Sequence, residues 1–231
     1  MISGNEARTA RDDLRAIVVF DLDKTLTKRD TYLPFLAAFL AKHPRRILRC
    51  FLIPLTVLRL APTYHWRTSL KVAFLDAVLG QCERNELLRV TEAFVTRLVS
   101  DDGLIQDGLD QLEFHRQRGD VLVLASASLD LYVDELARRL GFDSVIATKA
   151  KWHDDRVAGT LEGPNLKGPE KYAAVLRHFP AQELQSRGIA YSDHLSDLPL
   201  LGGVKEPFLV NPSKAASVAA KKLGISIVHW R

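Results

Sequence analysis

The chain has 231 residues, 47% hydrophobic and 26% charged, a balance that excludes a disordered chain and allows one large domain or a domain carrying a sizeable insertion. Its net charge of +4 is mildly basic, which suits an anionic substrate or surface without identifying one, and no nucleic-acid partner is expected. Cys50 and Cys82 are the only cysteines and lie outside any metal-type spacing, so reduced thiols in a cytoplasmic protein are expected rather than a disulfide framework.

Met1–Asp13 is polar and lacks an apolar stretch, so it does not read as a secretory signal. Ala16–Phe20 (AIVVF) is a β-branched run of strand length that ends directly on Asp21-Leu22-Asp23-Lys24-Thr25. From Tyr32 to Ser100 the pattern turns helical: Leu33, Leu36, Ala37 and Leu40 share a face, as do Leu70, Phe74, Ala77 and Val78. Pro44, Pro54 and Pro62 divide the region into several helices, which read as an insertion after the first strand. Within it, Ile47–Ala61 is strongly apolar but shorter than the roughly 20 residues a membrane span needs, and it holds Arg49 and Arg59. A buried helix pair broken at Pro54 is the preferred reading, and a surface that touches membrane is the other.

Beyond Leu104 strands and helices alternate. A helix over Leu104–Arg118 ends at Gly119, and Val121–Ala125 is the second strand. A helix over Leu129–Leu140 stops at Gly141, and Ser144–Thr148 is the third strand. Arg156–Leu161 reads as a hairpin arm. A helix near Pro169–Phe179 then leads to a strand over Gly188–Ser192, with later strands over Pro207–Val210 and Ile225–Val228. The alternation predicts an α/β fold, a Rossmann-like parallel sheet with helices on both faces, carrying a small helical cap after its first strand. The corresponding division is residues 14–30 and 101–231 as core, with 31–100 as cap.

Ligands of such sheets bind at the carboxyl ends of the strands. There the sequence places Asp21 and Asp23, then Ser126, then Ser192 and Asp193 with Asp197 nearby, while Lys167 lies in a loop before a helix. A carboxylate can attack phosphorus and split hydrolysis into two displacements, and a second acid two residues on can protonate the leaving oxygen and later activate water. Positions i and i+2 of an extended strand end point to one side, which puts Asp21 and Asp23 beside the same phosphate. Two anions facing an anionic ester require cations, supplied by Mg²⁺ on carboxylates and by a lysine; Ser126 and Thr25 add neutral donors. Taken singly, each piece reads equally well as a solvated turn, a helix cap or an exposed lysine. Their joint occurrence in order along one sheet edge favours chemistry.

These residues resemble the haloacid-dehalogenase-like (HAD) superfamily, in its phosphoserine-phosphatase-like IB group, over Arg15–Arg231. Asp21–Leu26 is similar to motif I, Leu122–Ser128 to motif II, Lys167–Lys171 to the motif III region and Tyr191–Pro199 to motif IV; Asn211-Pro212 also fits. The resemblance implies Asp21 as nucleophile and Asp23 as acid/base. It implies Mg²⁺ on Asp21, the Asp23 carbonyl and Asp193, with Asp197 in support, and phosphate held by Ser126 and a lysine. Local context (Gly-x-Glu-Lys) favours Lys171 as that lysine, with Lys167 as the second candidate. The insertion would be the cap, closing over a small phosphorylated metabolite.

Phosphoserine itself fits poorly. The relevant position after the nucleophile is Asp30 where those enzymes carry glutamate, and Ser69-Leu70-Lys71 offers lysine where they carry arginine, with Arg67 nearby. Asp30, Arg67 and Lys71 remain the cap's substrate candidates. A second resemblance, to phosphatidylglycerophosphatase C, rests on Lys42-His43-Pro44-Arg45-Arg46, the apolar Ile47–Ala61 and Trp66-Arg67. It implies a phospholipid-headgroup phosphatase in peripheral contact with an anionic membrane. A phosphoacceptor receiver would lack both Asp23 and an insertion of this length, and the superfamily's dehalogenases lack the second aspartate.

Overall fold

The computed structural model describes residues 15–63 and 65–231; the polar stretch Met1–Asp13 and the expected core boundary at residue 14 lie outside it. The sheet is built on β1 (Ile17–Phe20), whose four residues are all buried. The helical insertion follows: α1 (Tyr32–Lys42), a 3-10 helix (Pro44–Leu52), α2 (Ile53–Leu60), α3 (Trp66–Leu79) and α4 (Arg84–Ser100). The chain continues through α5 (Gln106–Arg118), β2 (Val121–Leu129), α6 (Asp130–Leu140), β3 (Ser144–Thr148), β4 (Ala150–His153) and β5 (Arg156–Leu161). It ends with α7 (Pro169–Leu176), α8 (Ala181–Arg187), β6 (Gly188–Ser192), a 3-10 turn (Leu195–Asp197), α9 (Leu198–Leu201), β7 (Glu206–Val210), α10 (Lys214–Lys222) and β8 (Ser226–Val228).

Six strands pair in parallel in the order β3-β2-β1-β6-β7-β8. Side chains of β1 alternate between two cores, as a strand period of two requires. Val18 and Phe20 face Leu26, Phe35, Phe39 and Tyr132 on the insertion side. Ile17 and Val19 face Val175, Leu184 and Leu201 on the other. Strand order reverses between β1 and β6, so the crevice beyond their carboxyl ends is where such a sheet binds ligands. The α/β architecture with a helical insertion after the first strand is therefore the one expected from the sequence.

Two details differ, while the hairpin arm is found where it was expected. Strand β2 runs on to Leu129 instead of stopping at Ala125, with a pairing irregularity between Ser126 and Leu129 that re-aims its end over the site. The expected arm is an antiparallel hairpin, β4 with β5, and it docks on the insertion: Gln81 N–H donates to the Val157 carbonyl at 2.7 Å and Val157 N–H to the Cys82 carbonyl at 3.0 Å.

The second difference corrects the reading of Ile47–Ala61 as a buried helix pair. Only Ile53 of its large apolar side chains is buried, whereas Phe51 is 80% and Leu58 72% exposed. The arginines take the inward positions. Arg46 donates to the Val78 and Gly80 carbonyls, and Arg49 to those of Gly80 and Asp76, all at 2.9–3.0 Å, binding carbonyls at the end of α3. Among the described residues no helix is long and apolar enough to cross a membrane.

Candidate active site

The end of β1 delivers Asp21, whose N–H still pairs with the Tyr191 carbonyl of β6 at 2.9 Å. Its carboxylate is 7% exposed as a residue and meets Lys171 Nζ at 2.7 Å on one oxygen, with Thr25 Oγ1 donating to the other at 3.3 Å. Lys171 also donates to Asp197 at 2.5 Å, and Ser192 Oγ donates to the same Asp197 oxygen at 2.9 Å. Of the two candidate lysines, Lys171 reaches the site, while Lys167 is exposed in the preceding loop. Gly168 explains the difference. Its positive φ of 65° and the closeness of Ser196 O, 3.1 Å from where a Cβ would sit, start α7 abruptly, so Lys171 lies in the helix's first turn facing the strand ends.

Asp23 is held by three donors. Thr31 offers its N–H at 2.7 Å and its hydroxyl at 2.6 Å to one oxygen, and Ser128 Oγ donates to the other at 2.6 Å. The Thr31 hydroxyl is also 2.9 Å from Tyr132 OH. Ser126 is buried, and its Oγ accepts from the Ser128 N–H at 3.0 Å, so the two serines shape the end of β2 together. Thr31, Ser128 and Tyr132 were missed as site residues. The i, i+2 relation of Ser128 to Ser126 was a usable signal, whereas Thr31 and Tyr132 reach the site only through the tertiary fold.

The three cap candidates separate. Lys71, on α3, crosses to the core: its ammonium donates to the Ala127 carbonyl at the end of β2 and to Asn165 Oδ1 at 2.7 Å. Burial pushes it down to about 7, against a partial pull upward from Asp23. Asp30 is exposed and paired with Lys24 at 2.6 Å, an arrangement that holds Lys24 above its ordinary value mainly through that bond. Arg67 is exposed, with its guanidinium 5.3 Å from the centroid of the Trp66 ring, and the structure brings it to none of the site residues.

The electrostatics ask for a cation. Burial is the largest effect on Asp21 and pushes it up to about 7; Lys171 opposes this, while Asp197 and Asp23 add to it. Burial would lower Lys171, but Asp21 and Asp197 outweigh it and hold the ammonium above its ordinary value. Asp193, at the end of β6, is raised by burial despite His194, Lys24 and Lys171. Four carboxylates thus share Lys171 and Lys24, and Lys24 is also bound to Asp30.

Among the described residues no three acid, histidine or cysteine side chains converge as a ready-made metal cage. The Asp197 carboxylate meets Lys171 and Ser192, and the Asp23 carboxylate meets Thr31 and Ser128. The set the resemblance implies is one of oxygen donors, the Asp21 and Asp193 carboxylates and the Asp23 main-chain carbonyl. That suits Mg²⁺, which commonly uses one or two carboxylates and fills its other positions with water and substrate phosphate.

An acid-rich strand edge lies at the switch point of the parallel sheet, in a chain with a helical insertion after its first strand. The family model for haloacid dehalogenase-like hydrolases matches residues 18–202, and the chain belongs to that family. It is 33% identical over 199 residues to the protein CicA of Caulobacter vibrioides, covering 80% of this chain and 81% of that one. A Bordetella pertussis structure of unknown function superposes with a TM-score of 0.72 at 24% identity, covering 93% of this chain and 98% of the other. A phosphoserine phosphatase, solved as an analogue of its phospho-aspartyl intermediate, gives 0.58 at 15% identity, with 92% of each chain covered; at that identity the likeness is one of fold. The chain is a HAD-type hydrolase.

Proposed function

We propose that this enzyme hydrolyses phosphomonoesters of small phosphorylated metabolites through an aspartyl-phosphate on Asp21, with residues 14–30 and 101–231 as catalytic core and 31–100 as cap. The observation that carries the proposal is the Asp21–Lys171–Asp197 triad beside Asp23, four side chains from three segments brought to one sheet edge. A sharing of fold with a phosphatase crystallised as a phospho-aspartyl analogue supports it.

In the first displacement an Asp21 oxygen attacks phosphorus and the bond to the leaving alcohol oxygen breaks, while Asp23 gives that oxygen a proton. In the second, Asp23 takes a proton from water as the water attacks phosphorus, releasing phosphate and the Asp21 carboxylate. Thr31 and Ser128 fix the orientation of Asp23 through three hydrogen bonds, and Lys171 keeps Asp21 aligned and offsets its charge. Ser126 and Lys171 are the residues assigned to phosphate binding, with Thr25 steadying the nucleophile. Mg²⁺, when bound by Asp21, Asp193 and the Asp23 carbonyl, supplies charge neutralisation of the transferring phosphoryl group. Lys71 places a cap-borne donor above the end of β2, where a substrate's leaving group would sit.

A second reading, hydrolysis of a phospholipid headgroup such as phosphatidylglycerophosphate, is favoured by one observation, the outward-facing apolar and basic surface of the cap. The discriminating experiment is a Mg²⁺-dependent screen over soluble phosphomonoesters and phosphatidylglycerophosphate vesicles, with Asp21→Asn as control. Hydrolysis that survives in the variant removes Asp21 as nucleophile, and turnover of soluble esters with none on vesicles removes the lipid reading.

A further inference from the structure

The 3-10 helix and α2 are amphipathic the wrong way round for a cap that faces only water. Ile47, Leu48, Phe51, Leu52, Leu55 and Leu58 are each 55–80% exposed. They make up six of the thirteen exposed large apolar side chains among the described residues, so nearly half of that surface is gathered within twelve positions. Their spacing is that of one helical face. Arg46 and Arg49 point inward and clamp this face to the end of α3, so the leucines are not turned out by default: the arginines occupy the inner side. Scattered single apolar residues need no explanation, whereas a contiguous patch marks an interaction surface.

Charge identifies the occupant. Residues 31–75 contain seven Lys and Arg and no Asp or Glu, in a chain whose net charge is +4, so the remainder is net negative. Lys42, Arg45, Arg59 and Arg67 are exposed around the patch. Trp66, 58% exposed with the Arg67 guanidinium over its ring, adds an amphipathic aromatic of the kind found at lipid headgroup level. An isologous contact with a second copy would set two such acid-free basic faces against each other, which electrostatics opposes. A surface that is apolar at its centre and basic at its rim complements an anionic bilayer.

We propose that the Pro44–Leu60 face of the cap docks on the surface of anionic lipid bilayers, lying in the interface without crossing it. The inference concerns binding and does not rest on the catalytic reading. It also gives α3 a second role, because the helix that is clamped to the docking face is the one that carries Lys71 to the core.

The test is co-sedimentation with phosphatidylcholine vesicles containing or lacking phosphatidylglycerol. The protein is expected to partition at least tenfold more strongly onto the anionic vesicles, with the difference shrinking at high salt. Phe51→Glu with Leu55→Glu should reduce that partition at least tenfold, and Arg45→Glu with Arg59→Glu should do so while leaving the apolar face intact. All four side chains are exposed, so unchanged melting curves and unchanged hydrolysis of a soluble phosphomonoester should accompany the loss. A protein without phosphatase activity would still show the binding, which keeps the two readings separable. The proposal is overturned if wild type ignores anionic vesicles, or if both variants bind as wild type does. It is also overturned if sedimentation equilibrium shows a dimer that Phe51→Glu dissociates while no vesicle binding occurs.

Discussion

Replacing Lys71 by methionine should stabilise the protein at mildly acidic pH while impairing its activity. The ammonium of Lys71 is packed between cap and core, and burial lowers it to about 7 from an ordinary 10.5. A lysine lowered on folding disfavours the charged folded state. The penalty is fully present below about pH 7 and fades as pH rises toward 10.5, so wild-type stability should climb across that window. At about 1.4 kcal/mol per unit, the full shift corresponds to roughly 5 kcal/mol as an upper bound. Part of this is recovered by the bonds to the Ala127 carbonyl and Asn165, each worth about 1.5–3 kcal/mol to a charged donor.

With the two bonds taken at the low end of that range, a net penalty of at most roughly 2 kcal/mol remains. Methionine matches the length of the stem and carries no charge. The Ala127 carbonyl is not orphaned by the change, because the Thr148 hydroxyl also donates to it at 2.8 Å. Urea unfolding of wild type and Lys71→Met at about pH 6, 8 and 10 should show the variant more stable by up to about 2 kcal/mol at the lowest pH, with the gap closing at the highest. A variant that is less stable at pH 6, or a gap that does not change with pH, would refute the reasoning.

Lys171→Met strips the counter-charge from two buried carboxylates and should lower stability by about 3–5 kcal/mol and turnover by about 10²–10³-fold, whereas Lys167→Met should change turnover less than about threefold. Steady-state kinetics with a soluble ester decide between the lysines. Ser128→Ala removes one of three donors to Asp23; kcat should fall by about 10- to 100-fold with KM nearly constant, and a KM effect alone would place Ser128 on the substrate instead. Asp30→Ala breaks only an exposed pair with Lys24, so a change above about 1 kcal/mol in stability would show that this pair carries more than surface electrostatics.

The sheet was readable because its strands are short β-branched runs that end in polar residues, and Ser144–Thr148 and Gly188–Ser192 needed no adjustment. The reach of Lys171 was readable only as one of two options. Which lysine faces the strands is set by the phase of α7, and that phase is fixed by the left-handed turn at Gly168 and its approach to Ser196. The outward turn of Ile47–Leu58 was not readable. Helical periodicity shows that an apolar face exists, but its direction is decided by Arg46 and Arg49 reaching carbonyls some thirty positions away. Thr31 and Tyr132 escaped notice for the same reason, since their bonds to the site form only once α1 and α6 are packed.

The covalent role of Asp21 is tested most directly by acid-quenching the enzyme during turnover of a soluble phosphomonoester with Mg²⁺ and mapping phosphorylated peptides by mass spectrometry. Phosphate should be found on Asp21 in the wild type and be absent, together with turnover, in Asp21→Asn. Phosphate on another residue, or undiminished turnover in Asp21→Asn, would contradict the mechanism.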